Sequence, residues 1–314
     1  MRTLVVTILI VVACFYTARA QTSARAVSLD QALKLANSGQ CVEALPVLSR
    51  IAVSSLDPPK RREIGFLRVR CAMALNRAKE AASAIGSLTE QFPTDPGVLY
   101  LAVRVYSDLS IRASQDLLTR APGSAEVHQL NAETLELQGK WKEATDEYRA
   151  ILAKQPDTPG IHYRIGRLLL SQPRTPDTTE EARREFLAEL KINPANVGSE
   201  FVLGELARQD DKIDEAIQHF TRATKLDALF PDAFLGLGQA LLAADRPADA
   251  VAALEHAAKL QPENPATHFN LASAYRRSGR ASDADRAMMA HREASERAQK
   301  AKDSIQRASQ RPAP

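Results

Sequence analysis

The apolar positions of this chain follow a helical rhythm over most of its length. Phe234, Leu237, Gly238 and Leu241 stand at i, i+3, i+4 and i+7, one face of an α-helix. Ala250, Leu254 and Ala257 repeat that spacing, so a second helix follows directly. The pattern then recurs every 34 residues. Ala216, Ala250 and Ala284 are spaced by that interval, and Gly204, Gly238 and Ala272 precede them by 12. A turn residue falls between the two sets (Asp211, Asp245 or Gly279), and a large apolar one (Phe220, Leu254 or Met288) comes four residues after each Ala. Toward the N-terminus the same landmarks appear as Gly166, Ala182, Phe186 and Pro194, and as Ala132, Gly139, Ala144, Tyr148 and Pro156. They are fainter as Asn76, Ala81, Ile85 and Pro93, where Val69 takes the first small slot, and as Ala32, Gly39, Ala44 and Leu48. Small residues let two helices approach, and the large one fills the space beside them. Pro156, Pro194 and Pro262 close units because proline ends a helix and restricts the residue before it.

A 34-residue period of small, turn, small and large positions resembles the tetratricopeptide repeat, a helix–turn–helix unit of that length. The resemblance implies an all-α, right-handed α-solenoid of about eight units, since one helix pair cannot bury its apolar face alone. The units expected are about 25–58, 62–94, 95–124, 125–158, 159–196, 197–230, 231–264 and 265–298, with a capping helix and a disordered end over 299–314. Residues 95–124 read as a shortened, degenerate unit around Ala102, Leu117 and Pro122. The polar stretch Gln172–Glu181 reads as a loop insertion, with Thr178 and Glu181 placed as a capping box. Basic residues from Arg286 onward and the stripe Ala290, Ala294, Ala298, Ala301, Ile305, Ala308 suit a solvated end helix.

Composition narrows the picture further. Aromatics are only 5% of the chain, which suits close-packed helices better than a β-sandwich. With 41 Lys+Arg against 38 Asp+Glu, the chain has no electrostatic footprint for nucleic acid. Residues 1–20 read as a secretory signal peptide: Arg2, the apolar run Leu4–Ala13, then Ala18-Arg19-Ala20 as the cleavage site. That run is too short to span a membrane. The expected mature protein is secreted or periplasmic and begins at Gln21; the alternative is a lipid anchor at Cys14, behind Val11-Val12-Ala13. Cleavage leaves Cys41 and Cys71, either a disulfide or two buried small residues.

No catalytic signature is present: no HExxH, GxSxG or GxxxxGK[ST], and Gly236-Leu237-Gly238 belongs to helix packing. His128, His162 and His268 share the fourth slot of their units, too far apart to share one metal. The reading is therefore no enzyme and no cofactor. In the family resembled, the first helix of each unit lines a concave groove whose outward slots contact a protein partner. Carried over slot by slot, the fifth position gives Leu99, Gln129, Tyr163, Phe201, Leu235 and Phe269, with Arg167, Arg208, Arg276 and Arg277 in other groove slots. The candidate binding groove is thus Tyr163, Arg167, Phe201, Arg208, Leu235, Phe269 and Arg276, taking an extended peptide or a partner helix. The function expected is a protein-interaction scaffold of the cell envelope. The alternatives are a substrate-recruiting or regulatory subunit of an envelope enzyme, and a lipid-anchored assembly factor using Cys14.

Overall fold

The computed structural model describes residues 28–173 and 175–309, all helix and connecting turns. The expected leader, with Arg2, Cys14 and Ala18-Arg19-Ala20, lies outside the described residues, as does the end beyond Ser309. Fifteen α-helices are seen among the described residues, and the chain divides into two compact units after Arg120.

The first unit holds α1 (Leu29–Asn37), α2 (Cys41–Arg50), α3 (Pro58–Ala74), α4 (Ala78–Gln91) and α5 (Pro96–Arg120), with one 3₁₀ turn at Val53–Ser55. Its core is a single cluster that includes Ala32, Leu45, Leu48, Ile64, Ile85, Leu88 and Val98. Cys41 at the start of α2 and Cys71 near the end of α3 form a disulfide, with Cα atoms 4.9 Å apart. The second unit holds five helix pairs: α6 (Ala125–Leu137) with α7 (Trp141–Lys154), α8 (Ile161–Ser171) with α9 (Pro176–Ile192), α10 (Val197–Gln209) with α11 (Ile213–Leu226), α12 (Pro231–Ala243) with α13 (Pro247–Leu260), and α14 (Pro265–Arg277) with α15 (Ala281–Ser309).

One turn recurs through the two units. Gly39, Asn76, Gly139, Asp211, Asp245 and Gly279 each follow the first helix of a pair, with φ between 57° and 82°. This left-handed conformation favours Gly, Asn and Asp, whose sterics or short polar side chains tolerate it. The next residue's N–H then bonds back to the helix: Gln40 to Leu35 O, Arg77 to Ala72 O, Lys140 to Leu135 O, Lys212 to Ala207 O, Arg246 to Leu241 O, Arg280 to Tyr275 O, all at 2.8–2.9 Å. That is the Schellman closure, which satisfies a helix-end carbonyl and aims the chain straight into the next helix.

Packing follows the small–large pattern. A Cβ placed on Gly238 would come within 2.4 Å of Leu254, and one on Gly204 or Gly166 within 2.8 Å of Phe220 or Phe186. The large residue therefore nests where its partner has no side chain. Ala216 and Ala250 are fully buried, and Ala284 is 1% exposed.

Three expectations are corrected. Residues 95–124 are not a shortened helix pair but one 25-residue helix, α5, because no residue within it takes the left-handed turn conformation. Residues 299–309 are not a separate capping helix but the continuation of α15, which runs unbroken through Ser309. The capping box lies three residues earlier than expected: Thr175 Oγ1 accepts from the Thr178 amide at 3.1 Å, and the Thr178 hydroxyl accepts from the Thr175 amide at 2.9 Å. Pro176 takes the first helical position there, where a missing N–H costs nothing.

Candidate functional site

The fifth-slot residues of the second unit are mostly engaged in packing. Tyr163 is half-buried, its ring 5.8 Å from Phe186 and flat against the bare backbone of Gly198, where a Cβ would lie 2.7 Å away. Phe201 is half-buried between Phe220 and Phe230, at 5.9 and 4.9 Å. Leu235 packs at the margin of the core formed by Leu241, Leu254 and Leu271. Phe269 alone of these four is exposed, at 52%, and its ring stands 5.6 Å from His291. Arg167 is exposed, with its guanidinium 5.8 Å from the Tyr163 ring. Arg208 is paired with Glu205 on its own helix at 2.7 Å, and Arg276 is exposed near the end of α14. Arg277 bonds the Leu242 carbonyl at 2.8 Å and Asp245 at 2.6 Å, tying the last pair to the turn before it.

Sequence reasoning missed the partners of the histidines. His128 Nδ1 lies 2.6 Å from Glu147, and His162 Nδ1 lies 2.6 Å from Glu185. In the next pair the residues are exchanged, with Glu200 in the fourth slot and His219 opposite at 2.6 Å. The signal was available. Both His128–Glu147 and Glu200–His219 are 19 residues apart, and His162–Glu185 is 23 apart across the four-residue insertion. These pairs tie the two helices of each repeat together. Tyr148 does similar work, its hydroxyl donating to Glu136 at 2.6 Å, and burial raises its pKa well above the usual tyrosine value. Tyr275 donates to Glu255 at 2.7 Å, and burial with that bond pushes its pKa up to about 12.

Among the described residues, α5 carries more exposed large apolar side chains than any other helix. Its N-terminal half runs Val98, Leu99, Tyr100, Leu101, Ala102, Val103, with Val105 and Tyr106 beyond, apolar nearly all round. A helix of that kind is normally covered on all sides. Here Val98, Ala102 and Val105 are buried, whereas the parallel stripe Leu99, Val103 and Tyr106 is 46%, 63% and 49% exposed, with Tyr100 at 68% beside it. On its other flank, Leu101 and Val105 join Phe66, Leu67 and Met73 of α3 around a cleft of about 370 Å³, whose polar walls are Arg70, Arg104 and Asp108.

Both ends of this surface are held by polar contacts. Asp95 caps α5, accepting from the Val98 amide at 3.0 Å, and Arg62 of α3 donates to both its oxygens at 2.8 and 3.1 Å. Those bonds, the arginine's first, lower the Asp95 pKa to about 2. Farther along, Arg112 pairs with Asp108 at 2.6 Å and reaches the Asn76 side chain in the α3–α4 turn.

Repeated helix pairs closed by one turn geometry, with polar ties between partners, define a helical-repeat protein. Tetratricopeptide repeat models match residues 131–197, 201–265 and 241–305. The chain belongs to the tetratricopeptide repeat family. Among solved structures it is similar to YrrB, described as a TPR protein with an unusual peptide-binding site, at 15% identity and TM-score 0.50, over 58% of this chain and 92% of that one. It is also similar to a double mutant of MamA RS-1, at 18% identity and TM-score 0.50, over 56% of this chain and 96% of that one. At such identities the likeness speaks to fold alone. No curated protein matches the sequence.

Proposed function

We propose that the protein is a non-catalytic scaffold whose partner-binding surface centres on α5, and that it takes an amphipathic helix of a partner protein. The observation that carries this reading is the exposed stripe Leu99, Tyr100, Val103 and Tyr106 on a helix with no second helix of its own repeat. In every complete repeat a second helix covers the first. Here that position is open, and a helix supplied by a partner would bury the stripe. The cleft beside it, between α3 and α5, offers room for one or two further apolar side chains. The groove slots of the second unit fit this role less well, because Tyr163 and Phe201 are already half-buried against neighbouring rings.

The test pairs two variants. Tyr100→Ser with Val103→Ser should abolish co-purification of the native partner while leaving thermal unfolding unchanged. Phe201→Ala should lower the unfolding temperature and leave capture intact. Capture that survives the α5 double variant and is lost with Phe201→Ala would move the binding surface to the second unit. A homodimer mass that the α5 variant dissolves would make the partner a second copy.

The setting proposed is the cell envelope, after export and cleavage following Ala20. The Cys41–Cys71 disulfide supports this, because such bonds persist in oxidising compartments. The N-terminal mass of the native protein decides it. A chain beginning at Gln21 is expected; an intact Met1, or a lipid on Cys14, would overturn it.

A further inference from the structure

A second groove in the first unit has different chemistry. It runs between α2 and α4, encloses about 490 Å³, and is lined by Leu45, Ser49, Arg68, Lys79, Glu80, Ser83, Ala84 and Ser87. A narrow recess of about 20 Å³ shares Arg68, Ala84 and Ser87 with it and adds Arg61, Gly65 and Gln91.

The charges in this groove are not balanced. Glu80, its one acidic residue, is held by Arg77 at 3.2 Å. Among the described residues neither Arg61 nor Lys79 has a carboxylate partner, whereas the neighbouring Arg62 and Arg77 do. Arg61 Nε is buried without a hydrogen-bond partner. Arg68 donates to backbone carbonyls alone, those of Leu48 and Ile51, the latter at 2.9 Å. Burial without a countercharge lowers its pKa. Lys79 stands in the first turn of α4, where the helix's own positive end repels a cation. Arg68 in the groove and Arg61 in the adjoining recess are each half-buried without an anion, which is costly, and the exposed ammonium of Lys79 adds a third positive charge beside them. The hydroxyls of Ser49, Ser83 and Ser87 add neutral donors along the same walls.

We infer that this groove, together with its recess, binds a small organic anion bearing a phosphate or sulfate group, held by Arg68 and Lys79 of the groove and Arg61 of the recess. The volume falls within the range of small-molecule sites and exceeds what one inorganic anion fills. Leu45 and Ala84 supply an apolar wall for the organic part. Charge-assisted bonds from guanidinium and ammonium groups suit tetrahedral oxyanions, and serine hydroxyls complete their shell. The site is separate from the α5 surface, which shares none of its residues.

The experiment is isothermal titration calorimetry of the full chain at constant ionic strength, with inorganic phosphate, sulfate and phenyl phosphate as probes and chloride as the reference salt. Saturable binding is expected, tighter for phenyl phosphate than for inorganic phosphate. Lys79→Gln and Arg61→Gln should each weaken it about tenfold. Both substitutions spare Arg68, whose bonds close the end of α2, so the fold is kept; far-ultraviolet circular dichroism verifies that. Lys259→Gln, in the second unit, serves as the control and should bind as wild type does. Absence of saturable binding by any probe, or equal affinity in wild type and both groove variants, would overturn the inference. Equal affinity for inorganic and phenyl phosphate would confine the site to the free anion and remove the organic ligand from it.

Discussion

The two compact units are built from the same repeat but differ in how completely they use it. In the second, every first helix has its second helix, three successive pairs carry a His–Glu tie, and glycines receive the large residue opposite. All family-model matches fall there. The first unit has a disulfide in place of those ties, ends in an unpaired helix, and holds both grooves considered above. Charge divides the same way. Residues 28–120 carry 12 Lys+Arg and 9 Asp+Glu, while 121–314 carry 26 and 29. Regular repeats satisfy their own surfaces, and both surfaces proposed above for other molecules lie where the repeat is incomplete.

The sharpest division between the units should come from reduction. The disulfide closes a loop of 30 residues, and its loss should destabilise the first unit by about 3–4 kcal/mol in the chain-entropy model. Hydrogen exchange with and without reductant reads this unit by unit. Protection should fall in α1–α4 and hold in α10–α14. A uniform loss would show that the two units unfold as one.

Overpacking tests the second unit in turn. Ala250 is fully buried at the crossing of α12 and α13, so Ala250→Leu should cost about 1–3 kcal/mol. Gly238→Ala, whose Cβ would meet Leu254, should act in the same direction. Chemical denaturation measures both, and unchanged midpoints would mean the packing register is misplaced. The α5 double variant should by contrast alter stability by no more than about 0.5 kcal/mol, as exposed sites do. A larger loss would show that Tyr100 and Val103 are part of the fold.

How far the sequence foretold each region follows from the same contrast. The period and the turn slots were readable, because Gly139, Asp211, Asp245 and Gly279 meet a backbone demand that few residues satisfy. The unbroken α5 was not, since Ala102 and Leu117 imitate two landmarks of a repeat although no turn residue lies between them. The packing around Tyr163 and Phe201 was hidden for a related reason. Whether Tyr163 faces solvent depends on Gly198 in the following pair, and a glycine's missing side chain leaves no mark in a hydropathy pattern. Leu99 did stand among the fifth-slot residues and is exposed, but its neighbours Tyr100, Val103 and Tyr106 fall outside the slots the family uses. The Arg61, Arg68 and Lys79 groove combines residues of two helices with no shared spacing.

The smallest expected effect concerns how α5 is anchored. Asp95 is ordinarily half-protonated near pH 3.8, and Arg62 with the α5 amides lowers this to about 2. A depressed carboxylate pKa means the folded state holds its proton less readily than the unfolded one. Its contribution is therefore complete above about pH 4–5 and fades as the pH falls toward 2. Solvent screens the pair, so the loss should be small and confined to the start of α5. Amide exchange at Val98 and Leu99, followed from pH 5 to pH 2 and corrected for the intrinsic rate, should accelerate across that window. Asp95→Asn separates the two roles of the side chain, because asparagine still caps a helix but carries no charge for Arg62. In that variant the start of α5 should remain helical while the pH dependence disappears. If the dependence persists, another carboxylate governs the start of α5, and the Arg62–Asp95 pair does not hold the α5 surface in place.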